Sequence, residues 1–575
     1  MEEGSKNSRR YILTKWAGFV SAIWVQAIAG NNYGFSNYSV ALKSIGGYNQ
    51  VELNNLGVAK DVGKALGVLA GLASDFLPPW LILLIGSLDG LVGYGAQWLV
   101  LSRRIAPLPY WQMCVVLCMG GNSTTWMNTA VLVTSIRNFR YNRGPVVGIL
   151  KGYIGLSTAI FTVLCSALFS NDPAKFVLLL AIIPFAVCIV AMVFLRPVAP
   201  ASSKPEQEEE RRGFFFLNSM ATLLGVYLLF YDFLKFSGTI AAIFLLVLLL
   251  LPLYLPAKLL LLPRKSIPQD VEAPTGGNLD QPLLHPQQVQ GENQTQPGQS
   301  SSPSIDKDDL AKNRGERIVH GSPKLGEDHN VLQLVKRYEF WLLFVSLLCG
   351  MGSGTVVINN LGQIGETLGY KDVGTFVSLT SVWGFFGRIG SGLVSEHFLR
   401  SSGVPRPVWL AASQVLMIVG FVLLVSALPG SLYIGSSITG LCYGVRLAVT
   451  VPTASELFGL KYFGLIYNIL IINIPLGSFL FSGLLAGFLY DYEAQKSLGV
   501  VASAAPSISN PGLWNGLLQS FGYSGRACLG TRCYRLTYVT MIGICALGFI
   551  VDTVLAFVTV PLYRKLKNTF AIKSR

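Results

Sequence analysis

Apolar runs of bilayer-spanning length recur from one end of this chain to the other. They lie near residues 16–42, 53–76, 80–102, 110–136, 145–169 and 174–196, then 214–234 and 237–261, then 335–360, 373–396, 406–428, 432–457, 463–490 and 535–562. A helical crossing of the hydrocarbon core takes roughly 20 apolar residues. No water is present there to satisfy peptide groups, so only helices and closed barrels cross. Runs this long read as helices, and the expected fold class is all-α and polytopic. The chain is 51% hydrophobic and 13% charged, against about 25% charged residues in an average soluble domain. Its net charge of +14 is therefore no sign of nucleic-acid binding. Most basic residues lie in tails and short connections, where they set orientation.

The runs are also repeated. GKALGVLAGLASD at Gly63–Asp75 parallels GFFGRIGSGLVSE at Gly384–Glu396, about 320 residues later. Gly63, Gly71, Leu72, Ser74 and Asp75 align with Gly384, Gly392, Leu393, Ser395 and Glu396. Thr129–Phe139 lines up with Ala448–Phe458 at nearly the same lag. Within the longer phrase Gly67 is replaced by Arg388. A duplicated unit of this kind is the pattern of a transporter built from two related halves.

The expected architecture is six spans, two extra spans, then six more. Residues 1–15 form a polar tail, 16–197 an N-terminal bundle, and 198–261 a linker with two extra helices. Residues 262–332 form a loop too polar to bury a core, expected to be disordered. Residues 333–562 form a C-terminal bundle and 563–575 a basic tail. Lysine and arginine counts favour both termini in the cytosol. The polar N-terminus and the long first run do not fit a cleavable signal peptide. Seven cysteines lie in apolar runs and read as core filler. Cys528 and Cys533 lie in a polar loop on the opposite side, where a disulfide is favoured over free thiols.

With these residues in view, the chain resembles the major facilitator superfamily, on GLASD (71–75) and its echo GLVSE (392–396). The basic residues that usually follow the acid are replaced by FLPPW. Residues 121–161, 443–468 and 528–538 are similar to plant nodulin-like transporters, the group that includes the nuclear-fusion-defective proteins. The resemblance implies two six-helix bundles and a distant relationship to monocarboxylate and oxalate–formate transporters. Arg388, in GRIGSGL, resembles the eighth-span arginine that holds the carboxylate in monocarboxylate transporters.

Ionisable side chains within a span must face a cavity or a partner, because each opposes insertion by roughly 2.5–3.5 kcal/mol at mid-helix. Arg388 is the first candidate for substrate binding, since a guanidinium pairs bidentately with a carboxylate. A salt bridge to a neighbouring helix is the plainer reading. Lys64 lies three residues from Asp61 on the same face, either as a self-neutralising pair or as a binding and proton-coupling pair. Asp89 and Asp552 are the other proton-coupling candidates. Each could equally pair with Lys151 or Arg446, and Arg446 is itself a binding candidate. Asn31, Asn32 and Tyr33, near Gly30 and Gly34, and Asn359 and Asn360 are expected to line the cavity, with inter-helix hydrogen bonding as the rival. Asp75 and Glu396 are expected to latch a gate against the positive N-terminus of a facing helix. Asp280, Leu283 and Leu284 resemble an acidic dileucine sorting signal that an adaptor would read.

No enzyme constellation, cofactor motif or metal-ligand spacing is present. The expected function is secondary transport of a small organic anion such as a monocarboxylate, moved with protons by a monomer among membrane lipids. The expected location is the plasma membrane or a vacuolar or endosomal membrane. The alternatives are a transporter of an amino acid, a metal chelate or another neutral or cationic solute, and a receptor or scaffold that moves nothing.

Overall fold

A computed structural model describes residues 2–30, 34–48, 50–170, 172–201, 204–234, 238–261, 323–368, 370, 374–489, 492–493 and 533–572. The described residues form helices and connections, with no strand among them. The first half contains α1 (Glu2–Ile28), α2 (Ser36–Gly46), α3 (Gln50–Ala65), α4 (Gly67–Ala73), α5 (Pro79–Leu101), α6 (Tyr110–Asn138), α7 (Arg143–Phe169) and α8 (Pro173–Phe194). The extra hairpin is α9 (Lys204–Leu234), α10 (Gly238–Leu250) and α11 (Tyr254–Leu261). The second half contains α12 (Val331–Val335), α13 (Tyr338–Thr367), α14 (Gly374–Ser402), α15 (Pro407–Ser426), α16 (Ser431–Phe458), α17 (Phe463–Ile471), α18 (Asn473–Gly477), a π-helix at Ser478–Ala486, and α19 (Arg535–Ile572). Ten stretches among the described residues are long and apolar enough to cross a membrane. The other apolar runs also carry helices among the described residues.

Several spans are broken where the sequence weakens the helix. The first stops at Ile28, beside Gly30, and resumes at Ser36. The freed Gly30 N–H donates to Ser157 Oγ of α7 at 3.1 Å, so the exposed helix end is satisfied from a neighbouring span. The eleventh breaks at Ile472. Pro475 lacks the N–H that would bond back to the carbonyl four residues earlier, at Ile471. A π-helix of this length is rare, because π turns normally occur singly.

Within the first half α5 packs on α6 and α8, α3 on α6, and α1 on α7 and α8. Within the second, α14 packs on α16, and α19 on α13 and α15. The halves meet along two crossings, α7 with α14 and α4 with α17. Both crossings are paved with glycine. A Cβ on Gly144 would lie 2.5 Å from the Gly392 carbonyl oxygen, and one on Gly71 would lie 2.6 Å from that of Gly464. Bare glycine faces let the helix axes approach this closely. The aligned glycines of the repeated phrase, Gly71 and Gly392, thus occupy equivalent places in the two crossings.

The hairpin is fastened to this frame. Helix α9 packs on α7 and α14. Phe214 joins Trp16, Phe19 and Phe139 in a ring cluster with centroids 5.0–6.4 Å apart. Glu210 takes Lys15 Nζ at 2.5 Å. The Cys533 sulfur is disulfide-bonded; its expected partner, Cys528, lies outside the described residues. The seven cysteines of the apolar runs are free thiols.

Candidate functional site

The two crossings end in a polar layer that ties the halves together. Glu396 Oε2 accepts from the Gly144 N–H at 3.2 Å, at the first turn of α7, where the helix dipole is positive. Glu396, the residue expected to latch a gate, thus meets the N-terminus of a facing helix. The same carboxylate takes Arg406 at 2.7 Å and Arg400 at 2.9 Å. Arg406 also holds Glu456 at 2.9 Å. Arg400 reaches across the halves to the Tyr141 carbonyl and to Asn142 Oδ1, and Arg143 donates to Ser455 Oγ at 2.8 Å. At the other crossing Asp75 lies 3.7 Å from Arg137. Arg137 donates to the carbonyls of Leu460 and Lys461 in the second half, at 3.3 and 2.9 Å. Asp75 therefore acts through an arginine of its own half, while Glu396 caps the facing helix directly.

The same 459–462 turn anchors the chain that returns from the long loop. Asp328 Oδ1 accepts from the N–H groups of Leu460 and Lys461 at 2.8 and 3.0 Å. Gly459, at φ +84°, sits against Asp328 so closely that a Cβ there would be 2.1 Å from Oδ1.

Seven residues on from Gly144 in α7 and eight back from Glu396 in α14, about 11–12 Å at 1.5 Å per residue, stand two cations. Lys151, on α7, is 5% exposed. Its Nζ donates to Asn128 Oδ1 at 3.0 Å and to the Tyr467 hydroxyl, and lies 4.8 Å from the Tyr467 ring centroid. Asn128 Nδ2 donates to the same hydroxyl at 2.9 Å, and Gln26 Nε2 donates to Asn128 Oδ1 at 3.2 Å. Spans one, four, five and eleven thus converge on one buried ammonium, whose hydrogen-bond partners among the described residues are neutral. The Arg388 guanidinium lies over Gly155, one turn from Lys151, where a Cβ would be 1.8 Å from Nη1. Residues four apart share a helix face, so both cations address the same face of α7. At the equivalent place in the other crossing, Gly67 faces Asn468 Oδ1. The symmetric position is neutral where Arg388 is charged.

The other candidates are distributed around this pair. Arg446 and Asp552 bond to each other at 3.1 Å, 0% exposed, with Ser346, Ser413 and the Leu410 carbonyl completing the arginine's contacts. The pairing alternative is what the geometry holds, inside the second half. Lys64 holds Asp61 at 2.9 Å, with Lys60 at 3.9 Å. Asp89 accepts from Asn122 Nδ2 at 2.9 Å, so it pairs with neither Lys151 nor Arg446. Asn359 donates to Ser478 Oγ and Asn360 to Ser482 Oγ, at 2.8 and 3.0 Å. These two join the seventh span to the π-helix. Asn31, Asn32, Tyr33, Asp280, Leu283 and Leu284 lie outside the described residues. Lys151 entered the sequence reading only as a partner for Asp89 or Asp552, and Asn128 and Tyr467 did not enter it as site residues. The available signal was one lysine in a glycine-striped span.

No group of three or more His, Cys, Asp or Glu side chains converges as a metal site among the described residues. A cavity of about 1010 Å³ opens beside Asp75, Arg137 and Arg196, at the latch layer and away from Lys151.

Residues 15–257 match the Nodulin-like family model, and residues 324–504 match the model of the NFD4 C-terminal domain. The chain is 30% identical to Protein NUCLEAR FUSION DEFECTIVE 4 of Arabidopsis thaliana over 563 residues, covering 96% of this chain and 90% of that protein. Among solved structures, the proton:xylose symporter XylE bound to 6-bromo-6-deoxy-D-glucose aligns at TM-score 0.48 and 12% identity, over 94% of this chain and 95% of that one. The E. coli fucose:proton symporter FucP aligns at TM-score 0.44 and 12% identity, over 93% and 98%.

Proposed function

This chain belongs to the nodulin-like family with an NFD4-type C-terminal domain, and we propose that it is a secondary transporter that carries a small organic anion by alternating access. The observation that carries this reading is Lys151. Lys151, 5% exposed, has an amide and a phenol rather than an acid as its hydrogen-bond partners among the described residues, and an ammonium so placed in a medium of low dielectric favours an anion strongly. It sits where the halves meet, so a bound anion would touch both, through Lys151 and Asn128 on one side and Tyr467 on the other. Arg388 would add a fork-shaped donor to the same anion. The glycine crossings supply the surfaces on which the halves rock, and the Glu396 and Asp75 contacts are the latch that closes one end. The balance of lysine and arginine favours a cytosolic position for that end.

Proton coupling falls to Asp89 in this reading. Asp61 and Asp552 are already paired with cations. Asp89 has an amide partner instead, which tolerates either form.

Uptake of labelled organic anions by proteoliposomes, with and without a pH gradient, tests both assignments. Lys151→Met is expected to lower uptake at least about a hundredfold, as removal of a charged hydrogen bond worth roughly 1.5–3 kcal/mol combines with loss of the attracting charge. Asp89→Asn is expected to keep substrate exchange and lose accumulation driven by the gradient. Full uptake by Lys151→Met refutes the anion seat, and gradient-driven accumulation by Asp89→Asn refutes the coupling role.

A further inference from the structure

We propose that Gln26 selects the substrate, and that the site takes a carboxylate with a hydrogen-bond donor close to its charge, namely a short hydroxycarboxylate. The inference rests on Lys151 as the anion seat. An ammonium only donates, so the Asn128 atom 3.0 Å from Lys151 Nζ is Oδ1. The Gln26 atom 3.2 Å from that same oxygen must then be the amide nitrogen. This fixes the far end of the Gln26 amide as Oε1. The side chain is 0% exposed, and no donor among the described residues reaches Oε1. Buried amide oxygens are rarely left in this state, and each one calls for an explanation.

Lys151 has a matching remainder. Of its three N–H groups, one goes to Asn128 and one to Tyr467. Among the described residues, a spare donor and an unmet acceptor are therefore bridged by one shared oxygen, Asn128 Oδ1. A ligand that answers both must accept at one atom and donate at a neighbouring one. A carboxylate accepts from the ammonium, and a hydroxyl on the same short chain donates to Gln26. An amino acid could donate through its own ammonium, but that group would sit beside Lys151, where like charges repel. An unsubstituted alkyl carboxylate would leave Oε1 buried and unmet. From the penalty for an unmet buried acceptor, the hydroxylated ligand is expected to be favoured by about tenfold or more.

The test uses the full-length protein in proteoliposomes. Uptake efficiency, kcat/KM, is compared for pairs of short carboxylates of equal chain length, one member carrying a hydroxyl at C2 or C3 and the other not. The expected result is a preference of about tenfold or more for the hydroxylated member, collapsing toward equality in Gln26→Leu through loss of the hydroxylated substrate alone. Equal efficiencies in the wild-type protein, no uptake of any hydroxycarboxylate, or an unchanged ratio in Gln26→Leu overturns the proposal. The wild-type comparison decides even where the variant does not fold. Lys151→Met separates the two levels. If it abolishes uptake while the hydroxyl makes no difference, the seat stands and the role of Gln26 falls. If uptake survives it, the seat itself is wrong.

Discussion

Gly392→Val is expected to abolish net transport and to leave the two halves apart at the latch end. A Cβ at position 392 would lie 2.6 Å from the Gly144 carbonyl oxygen and 3.1 Å from the Gly148 Cα. Both are backbone atoms, so no side chain can rotate aside. Overpacking in a close contact opposes it by roughly 1–3 kcal/mol, and a bias of that size changes a two-state ratio by about 5–150-fold. The state that suffers is the one in which α7 and α14 touch. Separating them also breaks the Glu396 bond to the Gly144 N–H and the Arg400 bonds to the turn before α7. The distance between spin labels at Arg140 and Ser402, on the two sides of this crossing, should lengthen in the variant and become insensitive to substrate. A wild-type distance with wild-type uptake would show that the crossing is not a moving contact.

Arg406→Met is expected to destabilise the second half severely. The guanidinium is 1% exposed and holds two buried carboxylates, Glu396 at 2.7 Å and Glu456 at 2.9 Å, together with Ser395 Oγ at 2.9 Å. Removing one member of a buried ionic set leaves the others unneutralised, which destabilises by about 3–5 kcal/mol. Glu456 loses its arginine while Glu396 keeps Arg400, which puts this case within that range. By the usual scaling for large domains, the melting temperature should fall on the order of 5–10 °C. Arg406→Lys should recover only part of that, because an ammonium cannot bridge both acids as the planar fork does. A melting point within about 2 °C of the wild type for Arg406→Met would mean that the latch layer contributes little to the fold.

The helical frame was readable because lipid imposes it. Apolar length marks the runs that form long helices, and the break in the first of them falls beside Gly30. The lag of about 320 residues aligns Gly71 with Gly392, and the structure sets the two in equivalent crossings. The pairing of buried charges was a different problem. Each residue advances about 100° around a helix, so small changes in rotation decide whether Asp552 meets Arg446 or Lys151. The Arg446–Asp552 partners are 106 residues apart, and nothing local in either span selects the other. That uncertainty hid Lys151, which stood out only once Asp89 and Asp552 had found different partners. Arg388 was readable because it breaks the symmetry of the repeated phrase. The long π-helix was not, since the loss of one N–H at Pro475 announces a break but not the winding beyond it.

The central claim is that the halves close around an anion at Lys151. Its most direct test is thermal unfolding of the purified protein with and without candidate solutes. A ligand that binds only the folded state raises the melting temperature with its concentration. A short organic anion should stabilise the wild-type protein and fail to stabilise Lys151→Met, while neutral sugars and organic cations leave both unchanged. Equal stabilisation of Lys151→Met by the anion, or stabilisation of the wild type by a neutral or cationic solute alone, would contradict it.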